Sequence, residues 1–188
     1  MRKRLPKTVQ TDDIKKLLKQ PNRKCPTGSR NYCIILLMWR AGLRVSEITD
    51  LLLNQIDWKG ERIRVIGKED KERFVPLETW ILDTLTAWKN VRPKSKYFFC
   101  TLEGSQLQRR YLNSMLERYS KKAEIEHVNP HSLRHTFATE LLNDNCNIMQ
   151  LKELLGHASA TTTAIYLHTN PVELTAKIKA GKQPDSEG

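Results

Sequence analysis

No apolar run in the chain approaches the roughly 20 residues that a membrane-crossing helix needs. The most apolar stretch is Cys33-Ile34-Ile35-Leu36-Leu37-Met38-Trp39, a length suited to a buried helix. No signal-peptide core follows the basic start Met1-Arg2-Lys3-Arg4, so a soluble, cytoplasmic protein without a membrane partner is expected. Cysteine is scarce as well. The four residues Cys25, Cys33, Cys100 and Cys146 form no C-x-x-C pair, which speaks against a disulfide framework and for free thiols in a reducing compartment. No internal repeat is present, so one globular unit is the default.

Acidic charge is also in short supply. Against 32 Lys and Arg stand 21 Asp and Glu, a net +11 in 188 residues. That balance favours a polyanionic partner, although a run of like charge is by itself often no more than a solvated face. With 39% hydrophobic residues the chain can bury a core of ordinary size.

Periodicity and punctuation give the elements. Residues 1–10 read as a basic arm or interdomain linker, after which Thr11-Asp12-Asp13 caps a short helix through Leu18. A buried helix is predicted over Ser29–Ala41 with Gly42 as its stop, and a second over Ser46–Leu53. Between Gln55 and Leu77 the period falls to two: Gln55–Trp58, Arg62–Ile66 and Phe74–Leu77 read as antiparallel strands, the last at an edge because Pro76 cannot donate a ladder bond. Helices follow over Thr79–Val91, Leu107–Ala123, Pro130–Asn143, Ile148–Leu155 and Thr161–Leu167. The class is α+β, mostly helical with a small three-stranded antiparallel sheet; the end of the chain, rich in polar residues from Gly181, reads as disordered.

Chemistry concentrates in three places. Pro130-His131-Ser132-Leu133-Arg134-His135 opens a helix with Asn129 as cap. His131 and Arg134 lie about 60° apart on the helical wheel, so both can address a point beyond the helix start, where the dipole favours an anion. An amphipathic helix with a polar first turn explains the same two residues without any function. Metal binding by His131 and His135 is disfavoured, since Ser132 stands where H-E-x-x-H has its glutamate; no metal and no other cofactor is expected. Leu154-Leu155-Gly156-His157 ends another helix, and Tyr166 follows His157 by nine residues. Alone, His157 reads as a solvated loop residue and Tyr166 as a half-buried core tyrosine.

Taken together and in this order, H-x-x-R, L-L-G-H and the tyrosine resemble the tyrosine recombinases of the phage-integrase family. The first half agrees: Ala41-Gly42-Leu43-Arg44-Val45-Ser46-Glu47 resembles the segment carrying that family's first arginine. Gly67-Lys68, 24 residues beyond Arg44, resembles its hairpin lysine. The resemblance runs from about Leu5 to Thr169 and implies a catalytic set of Arg44, Lys68, His131, Arg134, His157 and Tyr166. It also implies a catalytic domain over residues 11–170 and a tail over 171–188 of the kind that packs on a neighbouring protomer. Relatives place a helical DNA-clamp domain ahead of the catalytic domain; this sequence is expected to lack it.

On this resemblance the partner is double-stranded DNA, with self-association on DNA from dimer to tetramer and a cytoplasmic, nucleoid-associated location. The expected activity is DNA cleavage and rejoining through a 3′-phosphotyrosyl bond to Tyr166, giving integration, excision or resolution. DNA relaxation of the related topoisomerase kind and a catalytically silent DNA-binding regulator are the alternatives. The Leu107–Ala123 helix is the expected groove reader, with Arg109, Arg110, Lys121 and Lys122 as DNA contacts; Lys71 and Arg73 are alternatives for the hairpin's contact.

Overall fold

The computed structural model describes residues 8–67, 72–144 and 146–156. Helix α2 (Pro26–Arg40) runs through the middle of the core: Gly28 and every residue from Arg30 to Trp39 are buried. It begins three residues earlier than Ser29 because Pro26, which has no N–H to satisfy, occupies its first turn,. It packs on α4 (Thr79–Val91) and α6 (Pro130–Asn143), and the short α1 (Thr11–Leu18) buries Ile14, Leu17 and Leu18 in the same core. Thr11 lies inside α1 rather than capping it; Gln10 holds the cap position without a side-chain bond. The last residues of the expected arm are tied down, for the Val9 amide donates to Thr136 Oγ1 at 2.9 Å.

Two polar networks, one buried and one partly buried, fix how helices meet α2. Arg30, 3% exposed, donates to the Cys100 carbonyl at 2.7 Å and the Tyr111 hydroxyl at 2.6 Å, while Asn31 Nδ2 donates to the Tyr119 hydroxyl at 3.0 Å. These bonds set the rotation of α5 (Arg109–Lys122). On the other flank Arg40 bridges Glu78 at 2.7 Å and Glu140 at 3.5 Å, joining α2 to the start of α4 and to α6. Helix α5 starts two residues later than Leu107, since Gln108 is extended. Its stripe of Leu112, Met115, Leu116 and Tyr119 is buried as the spacing predicts.

The sheet is antiparallel in the order β1-β2-β3, with β1 (Ile56–Asp57), β2 (Arg62–Ile66) and β3 (Glu72–Pro76). Pro76 is on the edge strand, as its missing N–H requires,. Residues paired across strands share a face, so Ile63↔Val75 and Val65↔Arg73 put Arg73 on the same, inward side as three buried aliphatics,. Phe74 faces out beneath the Arg62 guanidinium, 4.4 Å from its ring centre.

Helix α3 spans only Val45–Thr49; residues 50–52 of the expected Ser46–Leu53 helix are non-helical, and Leu53 opens a 3₁₀ turn (Leu53–Gln55) in which Gln55 accepts from the Leu52 amide at 2.7 Å. Helix α7 (Ile148–Leu155) packs on α6 and β3. The helices over 79–91, 130–143 and 148–155 have the predicted bounds. Among the described residues no helix is long and apolar enough to cross a membrane, and the four cysteines are free thiols. The expected helix at Thr161–Leu167, residues 1–7 of the arm and the 171–188 tail lie outside the described residues.

Candidate active site

The site is built where arginines from the start of α3, from β3 and from α6 converge on one carboxylate and on the end of α7. Helix α2 ends at Gly42, whose φ of +61° is open to glycine at little cost,. The same position must also be bare: an added Cβ would overlap the Phe137 ring, with Cε1 at 2.7 Å and Leu155 Cδ2 at 3.1 Å. Two residues on, Arg44 holds the extended N-cap position of α3. Glu47, in the third position of that helix, reaches back to accept the Arg44 amide at 2.8 Å and the Arg44 Nη1 at 2.8 Å. This is the reciprocal half of a capping box, with the helix start also favouring the negative charge.

Glu47 is then forked by Arg73 from β3, Nη1 to Oε1 and Nη2 to Oε2, both at 2.9 Å. Arg134 from α6 brings a third guanidinium, its Nη1 4.0 Å from Glu47 Oε2. Arg134 also donates to the Gly42 carbonyl and, at 2.6 Å, to the Leu155 carbonyl. Arg44 Nη2 reaches the Gly156 carbonyl at 3.3 Å, and Arg73 Nε the Leu154 carbonyl at 2.7 Å. Three consecutive carbonyls at the end of α7 thus each take one arginine. The turn closes at Gly156, with φ +64°, where an added Cβ would sit 3.1 Å from Arg73 Nη1.

Exposure separates the roles. The side chains of Arg73, Arg134 and Glu47 are 10%, 8% and 7% exposed, whereas that of Arg44 is 34% exposed. Arg44 is therefore the guanidinium open to an incoming group, and Arg134 lines the floor. Burial, and then repulsion by Arg44, push the Arg134 pKa down to about 10, which leaves it charged at neutral pH. Burial pushes the Glu47 carboxyl up, but the Arg73 hydrogen bonds and charge, together with Arg44, outweigh it and hold it below its ordinary value. Three cations around one anion leave a concentrated positive field, suited to an oxyanion.

Helix α6 presents the site's other edge. Asn129 Oδ1 accepts the Ser132 amide at 2.9 Å and Ser132 Oγ accepts the Asn129 amide at 3.1 Å, a closed capping box behind Pro130,. His131 projects exposed from that first turn, while Leu133, Phe137 and Leu141 anchor the helix in the core. Among the described residues no three His, Cys, Asp or Glu side chains gather as a metal-binding group.

Residues 7–173 of the chain match the phage integrase family. The chain belongs to the phage integrase family. The tyrosine recombinase XerC of Actinobacillus pleuropneumoniae serotype 7 (strain AP76) is 35% identical over 187 residues, covering 97% of this chain and 60% of that protein. The crystal structure of XerA recombinase superposes with a TM-score of 0.75 at 28% identity, covering 96% of this chain and 68% of that one. The XerH site-specific recombinase bound to its difH substrate gives 0.72 at 27% identity, covering 96% and 56%. The chain spans about three fifths of the length of the curated relatives it matches.

In this integrase-family domain the six residues expected from the sequence divide in two. Arg44 and Arg134 are brought together around Glu47, and His131 stands at the start of the helix that carries Arg134. Lys68, His157 and Tyr166, together with Lys71, lie outside the described residues. Of the cations expected at DNA, Arg109, Arg110, Lys121 and Lys122 are exposed on α5, with Lys121 paired to Glu117 at 2.8 Å. Arg73 is not an outward cation. Its guanidinium turns into the molecule, because strand alternation places it beside Val75, and it spends its fork on Glu47. Glu47 itself was missed, although Arg44-x-x-Glu47 at a helix start has capping spacing.

Proposed function

We propose that this domain cuts and rejoins double-stranded DNA in site-specific recombination, through a 3′-phosphotyrosyl bond to Tyr166. The observation that carries the reading is the pairing of Arg44 and Arg134 on one carboxylate, at 2.8 and 4.0 Å, both also bonded to the carbonyls that lead into His157. The solved complex of XerH with its difH substrate supports DNA as the partner.

Attack on a phosphodiester adds negative charge to the non-bridging oxygens, and two guanidiniums offset it bidentately where a lysine would offer one point charge. Ionising a free tyrosine at pH 7 costs on the order of 4 kcal/mol. The cationic cluster lowers that cost for Tyr166, and His131 accepts the proton. Lys68 protonates the departing 5′ oxygen, and His157 hydrogen-bonds the phosphate. The covalent bond conserves the phosphodiester energy, so rejoining by the 5′ hydroxyl of another strand needs no ATP and gives a recombinant.

Exposed cations of α5 and Lys71 hold the duplex. Self-association on DNA, dimer to tetramer, uses the 171–188 tail, and the protein works in the cytoplasm at the nucleoid. The test incubates the chain with a library of nicked duplexes of randomised sequence and looks for a denaturation-resistant adduct, which is then sequenced. The reading expects enriched sites and, from paired sites, recombinant products. Supercoil relaxation without recombinants would move the assignment to a topoisomerase. Tight binding without any adduct would make the chain a silent regulator.

A further inference from the structure

We infer that Arg73 is a positioning residue for the phosphate-binding arginines, acting through Glu47 and the end of α7. The inference rests on the DNA-cleaving reading above.

Arg73 joins three segments far apart in sequence. From β3 it forks Glu47 on α3, 26 residues away, and its Nε holds the Leu154 carbonyl of α7, 81 residues away. The next two carbonyls, Leu155 and Gly156, are those taken by Arg134 and Arg44. One guanidinium therefore sets the backbone on which both phosphate-binding arginines lean, and from which the chain continues to His157. Its strand, β3, pairs along β2, and the connection between them carries Lys68.

Charge gives Arg73 a second effect. A carboxylate offers about four acceptor directions, and Glu47 has all of them filled: two by Arg73, one by the Arg44 amide and one by Arg44 Nη1. With Arg73 absent, half of those directions are empty and the carboxylate is free to turn on Arg134, 4.0 Å off. The cluster would fall from three cations against one anion to two against one, at the expense of the pair needed for phosphate. Lysine cannot reproduce the effect, because it has neither the fork nor a separate Nε donor.

The experiment uses a nicked duplex selected by covalent capture on the wild-type chain. For wild type, Arg73→Lys, Arg73→Met and the double variant Arg73→Met/Glu47→Gln, it measures single-turnover adduct formation, duplex affinity and cooperative melting. Arg73→Lys is expected to melt cooperatively and bind the duplex as wild type does, yet cleave about a hundredfold more slowly, the scale of a misplaced catalytic constellation. The deficit should shrink on a duplex whose scissile phosphate is a methylphosphonate, which develops less charge and demands less of the arginines. Arg73→Met/Glu47→Gln should cleave faster than Arg73→Met, because the half-freed carboxylate that competes for Arg134 is gone. Affinity and cleavage falling together, a deficit unchanged on the methylphosphonate, or no gain in the double variant would make Arg73 a plain brace of the fold and overturn the inference. A wild-type chain that yields no adduct overturns the underlying reading instead, and this inference with it.

Discussion

Glu47 and Arg73 meet through two parallel hydrogen bonds of 2.9 Å, and on that pair depends the setting of both arginines taken as the phosphate clamp. The pair is largely out of water. Breaking a buried ion pair by removing one partner leaves an uncompensated charge and costs about 3–5 kcal/mol.

A pH dependence follows. Burial raises the Glu47 pKa, the Arg73 and Arg44 contacts lower it further than burial raises it, and the folded value lies below the ordinary 4.5. Between those two values the unfolded chain binds the proton and the folded one does not, so acid favours unfolding. The contribution is complete above 4.5 and is lost as pH falls through the folded value. Melting temperature measured in acid should therefore fall more steeply for wild type than for Glu47→Gln, which has no such proton to take up. Parallel curves for the two proteins would contradict the arrangement around Glu47.

Gly42→Ala tests the packing beneath the arginines. The substitution combines a left-handed backbone with overlap on Phe137 and Leu155, at a summed cost of about 2–5 kcal/mol. Because the Gly42 carbonyl accepts from Arg134, adduct formation should drop as well. Thermal unfolding gives the first quantity and single-turnover cleavage of the captured duplex the second; a variant as stable and as fast as wild type would mean that this turn yields freely.

Most of the fold was legible because it follows local rules. The capped start of α6 and the glycine stop of α7 left little choice, and strict alternation gave β2 its bounds. Boundaries slipped where a local signal had two readings: Pro26 reads as a loop residue or as the first position of a helix, and Thr11 as a cap or a first-turn residue. The arginines were legible as members of a spaced set, but their common partner was not. Glu47 gains its role only from Arg73 and Arg134, which come from β3 and α6, and no local pattern reports such a meeting. Arg73 was the exception, since period two put it inward beside Val75; its positive charge drew the reading towards DNA instead.

DNA affinity should depend on α5. Each phosphate-neutralising cation contributes nearly one unit to the slope of log affinity against log salt. Arg110 and Lys121 are both exposed and lie eleven residues apart, close to one face of the helix,. Replacing both with alanine should flatten the slope by about two. Titration of the captured duplex across a salt series measures it, and an unaltered slope would mean that this face of α5 meets only solvent.

On the proposed function, Tyr166 is the nucleophile in front of an arginine clamp. Tyr166 follows both arginine-bearing segments, whereas Tyr32, Tyr97, Tyr111 and Tyr119 all precede the helix that carries Arg134. Of these, Tyr111 and Tyr119 are already committed to Arg30 and Asn31. Tyr166→Phe removes only the phenolic oxygen, so folding and DNA binding should persist. The most direct measurement is the denaturation-resistant protein–DNA band on a nicked duplex, with and without excess chelator. The band is expected for wild type in both conditions and should be absent for Tyr166→Phe. A band that survives in Tyr166→Phe, or one that wild type loses on adding chelator, would contradict it.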